Sequence, residues 1–189
     1  MAAEVFIPLE GLNVDNIIIH SPTSAYPVRI PTALISYTNQ LYSLPKLSIF
    51  TPFLTIHSWD STKGRLELDG TFTKFNDFFE MILKTLVKNP EWSSQTKNTN
   101  EDIKSKLQPF IINKRLVLYI NSQRNEETVI YMKENDTIQR TYDVTNETFH
   151  SGQQVRIALR FQGIVFLKNT TGNLNYRIQH QVASVYVKY

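Results

Sequence analysis

Between Thr148 and Tyr189 the chain carries five basic residues, Arg156, Arg160, Lys168, Arg177 and Lys188, and no aspartate or glutamate. Their spacing is that of strand residues. From Gln154 to Gln162, Val155, Ile157, Leu159 and Phe161 alternate with Gln154, Arg156, Ala158, Arg160 and Gln162, a period of two that sends one set to a core and the other outward. Gly163 interrupts the pattern, residues 164–167 continue it, and residues 169–173 supply a turn containing Gly172. A second run then places Leu174, Tyr176, Ile178 and Val182 on one face and Asn175, Arg177, Gln179 and Gln181 on the other. Near Ser184 the phase shifts to Val185 and Val187, as a β-bulge would shift it. The result is a long hairpin with a face of arginines and amides that suits a phosphate backbone. A solvated face over an ordinary β core accounts for the bases alone; the absence of acids favours a ligand.

Aromatic residues accompany these bases. Tyr119, Tyr131, Phe166 and Tyr176 stand beside Arg115, Lys133, Arg156, Arg160, Lys168 and Arg177 on expected strands, and Trp59 sits in the turn SWDSTKG. Single-stranded nucleic acid is held by a positive groove together with rings on which bases stack, worth about 1–3 kcal/mol per base.

The elements that must position these residues are legible in part. Six of the eight prolines fall in the first 52 residues, so this section is expected to be extended or irregular. Ile17 to His20 is a short strand candidate, and Leu34, Tyr37, Leu41 and Leu44 have near-helical spacing that predicts a helix over 31–44. Residues 1–46 form an N-terminal arm in this scheme, packed on the main domain or on a neighbouring subunit. Residues 47–57 and 65–72 read as a second hairpin. The clearest helix follows, with Thr73 or Asn76 as cap, Lys84 and Lys88 near its end, Pro90 beyond it, and an apolar stripe of Phe75, Phe78, Phe79, Ile82, Leu83, Leu86 and Val87. Residues 91–113 are polar and read as a mobile insertion with a short capped helix at 101–107. Strands are expected at 115–121, 127–133 and 139–144, separated by turns at 122–126 and 134–137. Several short strands and one amphipathic helix predict a mainly β domain over 47–189, an OB-like five-stranded barrel preceded by the arm.

Composition narrows the function. Hydrophobic residues make up 41% and aromatic residues 12% of the 189, with six glycines, the balance of a folded domain. Cysteine is absent, which removes disulfides, thiolate metal sites and cysteine nucleophiles. His20, His57, His150 and His180 are isolated, and no zinc, P-loop, dinucleotide or serine-hydrolase motif occurs. The chain therefore reads as a non-enzyme without metal or cofactor. No apolar run is long enough for a membrane span and no secretory signal opens the chain, so an intracellular location without membrane contact is expected. Residues 1–103 hold 8 basic against 11 acidic residues, residues 104–189 hold 12 against 6, and this asymmetry points to an acidic partner, nucleic acid first.

A resemblance sharpens this expectation. PKLSIFTPFLTIHSWDSTKGRLELDGTF, the Phe-rich helix ending in VKNPEW, LQPFI, LVLYI, EETVIYMKEND, QQVRIALRFQGIVFL and GNLNYRIQHQVASVYV occur in an order that resembles the OB-fold single-stranded-DNA-binding proteins of nucleocytoplasmic large DNA viruses. These are similar in turn to replication proteins of certain podophages. The resemblance covers about Leu47 to Val187. Its most specific part is the closing pair, where a basic and apolar strand leads to a Gly-Ile-Trp-Phe-like step, a glycine turn and an aromatic–basic pair followed by glutamine. Gly163, Ile164, Val165, Phe166 and then Tyr176, Arg177 and Gln179 occupy those places. Two departures stand out: Val165 replaces an aromatic, and the chain ends VYVKY instead of in an acidic tail that recruits replication partners.

The resemblance implies a non-catalytic coat for single-stranded DNA during viral replication, repair or recombination, at a replication site in the host cytoplasm or nucleus. Phosphates would meet Arg156, Arg160, Lys168 and Arg177, and bases would stack on Phe166, Tyr176, Tyr119 and Trp59. Replication proteins are further expected partners, and the arm offers a route to homo-oligomers. The competing expectation is a structural or minor virion protein whose β domain and arm hold neighbours together.

Overall fold

The C-terminal hairpin is the longest feature of the computed structural model, which describes residues 4–24, 30–95, 97–120, 128–134, 137–170 and 172–188. The turn expected at 122–126 and the side chain of Lys133 lie outside the described residues.

The chain begins with β1 (Ile7–Pro8), two 3-10 turns, β2 (Ile17–Ile19), β3 (Thr32–Ala33), β4 (Ile35–Thr38) and β5 (Ser43–Leu44). It continues through β6 (Leu47–Phe50), β7 (Leu54–Asp60) and β8 (Arg65–Asp69) to α1 (Thr73–Lys88) and α2 (Asn100–Lys106). Then follow β9 (Leu107–Gln108), β10 (Ile111–Ile112), β11 (Arg115–Tyr119), β12 (Val129–Glu134), β13 (Thr137–Thr141), β14 (Gln154–Lys168) and β15 (Leu174–Lys188).

β14 and β15 pair antiparallel along their whole length. The register shifts twice, between Ala158 and Leu159 and between Phe161 and Gly163. At the first shift Ala158 faces Ser184 while Leu159 faces Val182, so the bulge lies where the sequence changes phase. At the second, Gly163 adopts φ +155°, and a Cβ there would stand 2.6 Å from the carbonyl oxygen of Ala33. Only glycine admits β3 to this edge.

The outer edge of β14 is taken up in succession by β7 at Gln154 and Val155, by β6 from Ala158 to Phe161, and by β3 at Ile164 and Val165. The outer edge of β15 pairs parallel with β9 at Tyr176 and Arg177 and with β12 from Ser184 to Val187. The whole is a 12-stranded sheet whose main path runs β10-β11-β8-β7-β14-β15-β12-β13, with a separate three-stranded sheet β2-β4-β5.

This corrects the OB expectation. The path ends at β10 on one side and β13 on the other, and these strands are not paired with each other, so the sheet is open and no five-stranded barrel closes. The amphipathic α1 and the short capped α2, which falls on the helix expected at 101–107, together with the open sheet make the fold mixed α/β. The physical reason lies in the hairpin's edges. Each of its strands has 15 residues and recruits several short partners, a capacity that alternation within one strand does not reveal.

The section expected as an arm packs into this sheet: β1 pairs with β6, β3 with β14, and Leu9, Leu12, Ile17, Ala33, Ile35 and Tyr37 are buried in the common core. The helix expected over 31–44 is replaced by β3, β4 and β5. Ala33, Ile35 and Tyr37 are buried while Leu34 and Leu41 are exposed, so pairing outweighs the helical spacing of the leucines.

α1 lies with Phe75, Phe78, Ile82, Leu83 and Leu86 buried, five members of the expected stripe. Phe78 meets Phe161 of β14 edge-on at 5.0 Å, and Phe75 meets Phe110 at 5.4 Å. The polar stretch expected as a mobile insertion is tied down. Thr99 and Asp102 form a capping box on α2, and Ile103, Leu107 and Phe110 are buried. No helix among the described residues is long and apolar enough to cross a membrane.

Candidate nucleic-acid interface

β14 presents two faces. Val155, Ile157, Leu159 and Phe161 point into the core, and Arg156 and Arg160 point away from it. Register then extends the outward face across four strands. Arg156 of β14 stands opposite Tyr186 of β15, Tyr186 opposite Tyr131 of β12, and Tyr131 opposite Arg140 of β13. An Arg-Tyr-Tyr-Arg row crosses the open sheet.

The two tyrosine rings are stacked, 4.5 Å between centroids and 6° from parallel. Phe50 of β6 meets Tyr186 edge-on at 5.4 Å. The Arg156 guanidinium lies 4.6 Å from the Phe50 ring and 5.2 Å from that of Phe53, and its Nε donates to the Thr51 carbonyl at 3.2 Å. Lys188 Nζ lies 5.2 Å from the Phe53 ring and donates to Gln154 Oε1 at 3.2 Å, and Arg140 stands 4.9 Å over Tyr142. Phe53, Tyr142 and Tyr186 are exposed at 45%, 39% and 38%. Among the described residues no carboxylate pairs with Arg140, Arg156 or Lys188. A cation held over a ring keeps its charge, and such a contact contributes about 0.5–1 kcal/mol at an exposed site. Flat rings flanked by pre-positioned cations result, the combination that single strands require.

Arg160 is placed differently. Its Nε donates to Glu4 Oε1 at 2.6 Å, its Nη1 to Gln181 Oε1 at 3.3 Å, and its guanidinium lies 6.0 Å from the Phe6 ring. The hydrogen bond from Arg160 holds the Glu4 carboxyl below its ordinary pKa, against the opposing effect of burial.

The remaining residues singled out in the sequence are dispersed. Arg115 pairs with Asp69 at 3.1 Å and Glu67 at 3.8 Å. Trp59 is half-buried; its Nε1 donates to the Thr145 carbonyl at 2.9 Å and its ring meets Phe149 edge-on at 5.2 Å. Phe166 and Tyr176 face each other edge-on at 5.2 Å inside the core, at 4% and 2% exposure. Lys168 is exposed at the end of β14, and Lys133 lies on β12 opposite Ile138. Tyr119 and Arg177 share the wall of a cavity instead of the tyrosine row. Of the expected set, the interface thus gathers Arg156 and Tyr131, with Arg160 beside them under Glu4.

Lys188, one of the five bases of the acid-free segment, joins the interface, and Phe50, Phe53, Arg140 and Tyr186 complete it without having been singled out. Tyr186 had a signal: it alternates with Val185 and Val187, and is outward when they are inward. Phe53 had none, since it lies between β6 and β7 and meets Arg156 only through the fold.

Among the described residues no group of three or more His, Asp and Glu is arranged to hold a metal ion. Comparison of the chain with protein-family models, curated proteins and solved structures finds no match.

Proposed function

We propose that this protein binds single-stranded nucleic acid, DNA in the first instance, on the outward face of its open sheet, as a non-catalytic coat for strands exposed during viral DNA replication, repair or recombination. Bases stack on Tyr131, Tyr186 and Phe53, and phosphates meet Arg156, Arg140 and Lys188. The observation that carries this reading is the Arg156-Tyr186-Tyr131-Arg140 row, in which two stacked rings stand in register between two arginines that pair with no carboxylate among the described residues.

Charge reversal at Arg156 tests it. Arg156→Glu places a carboxylate against the Phe50 and Phe53 rings at a half-exposed site, and should abolish capture of a labelled oligo-dT while circular dichroism stays that of the wild type. Unchanged binding with unchanged folding contradicts the proposal. A structural role, with the sheet edge as a contact between proteins, is the second reading. It is favoured by β13, an edge strand exposed along most of its length with Ile138 at 71%. That role requires indifference to Arg156→Glu and a loss of self-association when Ile138 becomes Lys.

A further inference from the structure

A cavity of about 580 Å3 opens where the β7–β8 turn, the β9–β10 connection, β11 and the first half of β15 converge. Its size falls in the range of about 300–1,000 Å3 usual for small-ligand sites. It is separated from the tyrosine row along the hairpin: its β15 residues are Arg177, Ile178 and His180, whereas Tyr186 stands near the far end of that strand.

Its lining is chemically mixed in a specific way. The Tyr119 ring is 53% exposed at the end of β11 and offers a flat apolar wall. Phe110 forms an apolar part of the lining, buried against Phe161 and Phe75. Arg177 is exposed and makes no ion pair or side-chain hydrogen bond among the described residues. Lys63 extends from the β7–β8 turn with its Nζ 3.5 Å from Asp60 and 70% of its side chain in solvent. Among the described residues no aspartate or glutamate lines the cavity. His180 Nδ1 approaches the Ile178 carbonyl at 3.2 Å, and since a carbonyl only accepts, Nδ1 carries the proton and Nε2 is the ring's acceptor. Burial holds the imidazole neutral by lowering its pKa, with Arg177 adding to the effect. The backbone is fitted to the purpose as well: Gly64 at φ +61° lets the turn close on β11, where a Cβ would stand 2.3 Å from the Ile120 carbonyl oxygen.

We infer that this cavity is a second binding site, for a nucleoside monophosphate, with the base against Tyr119 and the phosphate on Arg177 and Lys63. A planar heterocycle satisfies the aromatic wall, its amino or imino hydrogen satisfies His180 Nε2, and a dianion satisfies the Arg177 guanidinium and the Lys63 ammonium together. Neither an aliphatic anion nor an uncharged heterocycle uses all three features. The inference stands on the lining of the cavity and does not depend on strand binding at the tyrosine row.

Isothermal titration of the full chain at low salt with dAMP, deoxyadenosine and inorganic phosphate tests it. dAMP should bind at least about tenfold more tightly than either fragment, because stacking and charge act together. Arg177→Gln and Tyr119→Ala should each weaken dAMP by about tenfold, while Tyr119→Phe restores the ring and the affinity. Lys84→Gln, the same loss of charge on the exposed side of α1, should change nothing. Absence of dAMP binding, phosphate binding as well as dAMP, or an equal loss in Lys84→Gln overturns the inference. Oligo-dT binding by the same variants reports separately on the tyrosine row.

Discussion

Arg156 concentrates the chemistry of the outward face. Its guanidinium is held by two phenylalanine rings and one carbonyl, and among the described residues no carboxylate pairs with it. Replacing it with Gln should weaken oligo-dT binding and reduce the log–log salt slope by about 0.7 for the phosphate it neutralises. Arg115→Gln, which removes a cation already paired with Asp69 and Glu67, should leave that slope unchanged. Tyr186→Ala should cost about 1–3 kcal/mol of strand affinity with the fold intact, since the ring is partly in solvent and its loss opens no core cavity. Fluorescence anisotropy against salt reads all three.

Glu4 sets a second residue-scale expectation. Its pKa in the folded protein lies below the unfolded value, so the Arg160 contact stabilises the fold fully above the ordinary carboxylate range and is lost as pH falls through the lowered folded value. The two side chains are 36% and 34% exposed, which limits the contribution to under about 1 kcal/mol. Urea unfolding should therefore separate wild type from Glu4→Gln at pH 7, and the gap should close as pH falls through the lowered folded value. At neutral pH the same substitution removes a negative charge from beside Arg160 and should raise oligo-dT affinity several-fold, on the scale of one exposed ion pair.

At the scale of elements, the hairpin and α1 carry the fold. Phe78→Ala empties the contact with Phe161 and should cost about 3–5 kcal/mol in urea unfolding. Gly163→Ala forces a Cβ against the Ala33 carbonyl at a positive φ, and should destabilise by about 1–3 kcal/mol and loosen β3. Both elements are legible in the sequence because their signal is local: a period of two along β14 and β15, broken at Gly163 and near Ser184, and a helical stripe of phenylalanines. The short strands β1, β3 and β9 are not legible. Strands of two residues have no period, and these exist only as partners of β6, β14 and β15. The same limit governs the site. Arg156 and Tyr131 carry strand signals of their own, but their junction with Tyr186 and Arg140 follows from register between strands far apart in sequence. Phe166 and Tyr176 show the converse, since ring and base composition alone does not distinguish a stacking surface from a core pair.

For the molecule as a whole, openness is the decisive property. A closed barrel would confine a strand to a groove on its outside, whereas this sheet leaves a face spanning β6, β14, β15, β12 and β13 on which rings and cations lie together. The opposite side is occupied by α1 and the phenylalanine core, with the Tyr119 and Arg177 cavity at its margin. In the proposed function this face takes unstacked bases. The most direct measurement is fluorescence anisotropy of a labelled oligo-dT of about 30 nucleotides at two salt concentrations, beside duplex and RNA controls, with wild type and the Tyr131→Ala/Tyr186→Ala double variant. The account predicts salt-sensitive binding that prefers the single strand and is lost in the double variant. Equal affinity for duplex, or a double variant that binds as wild type does, would contradict it.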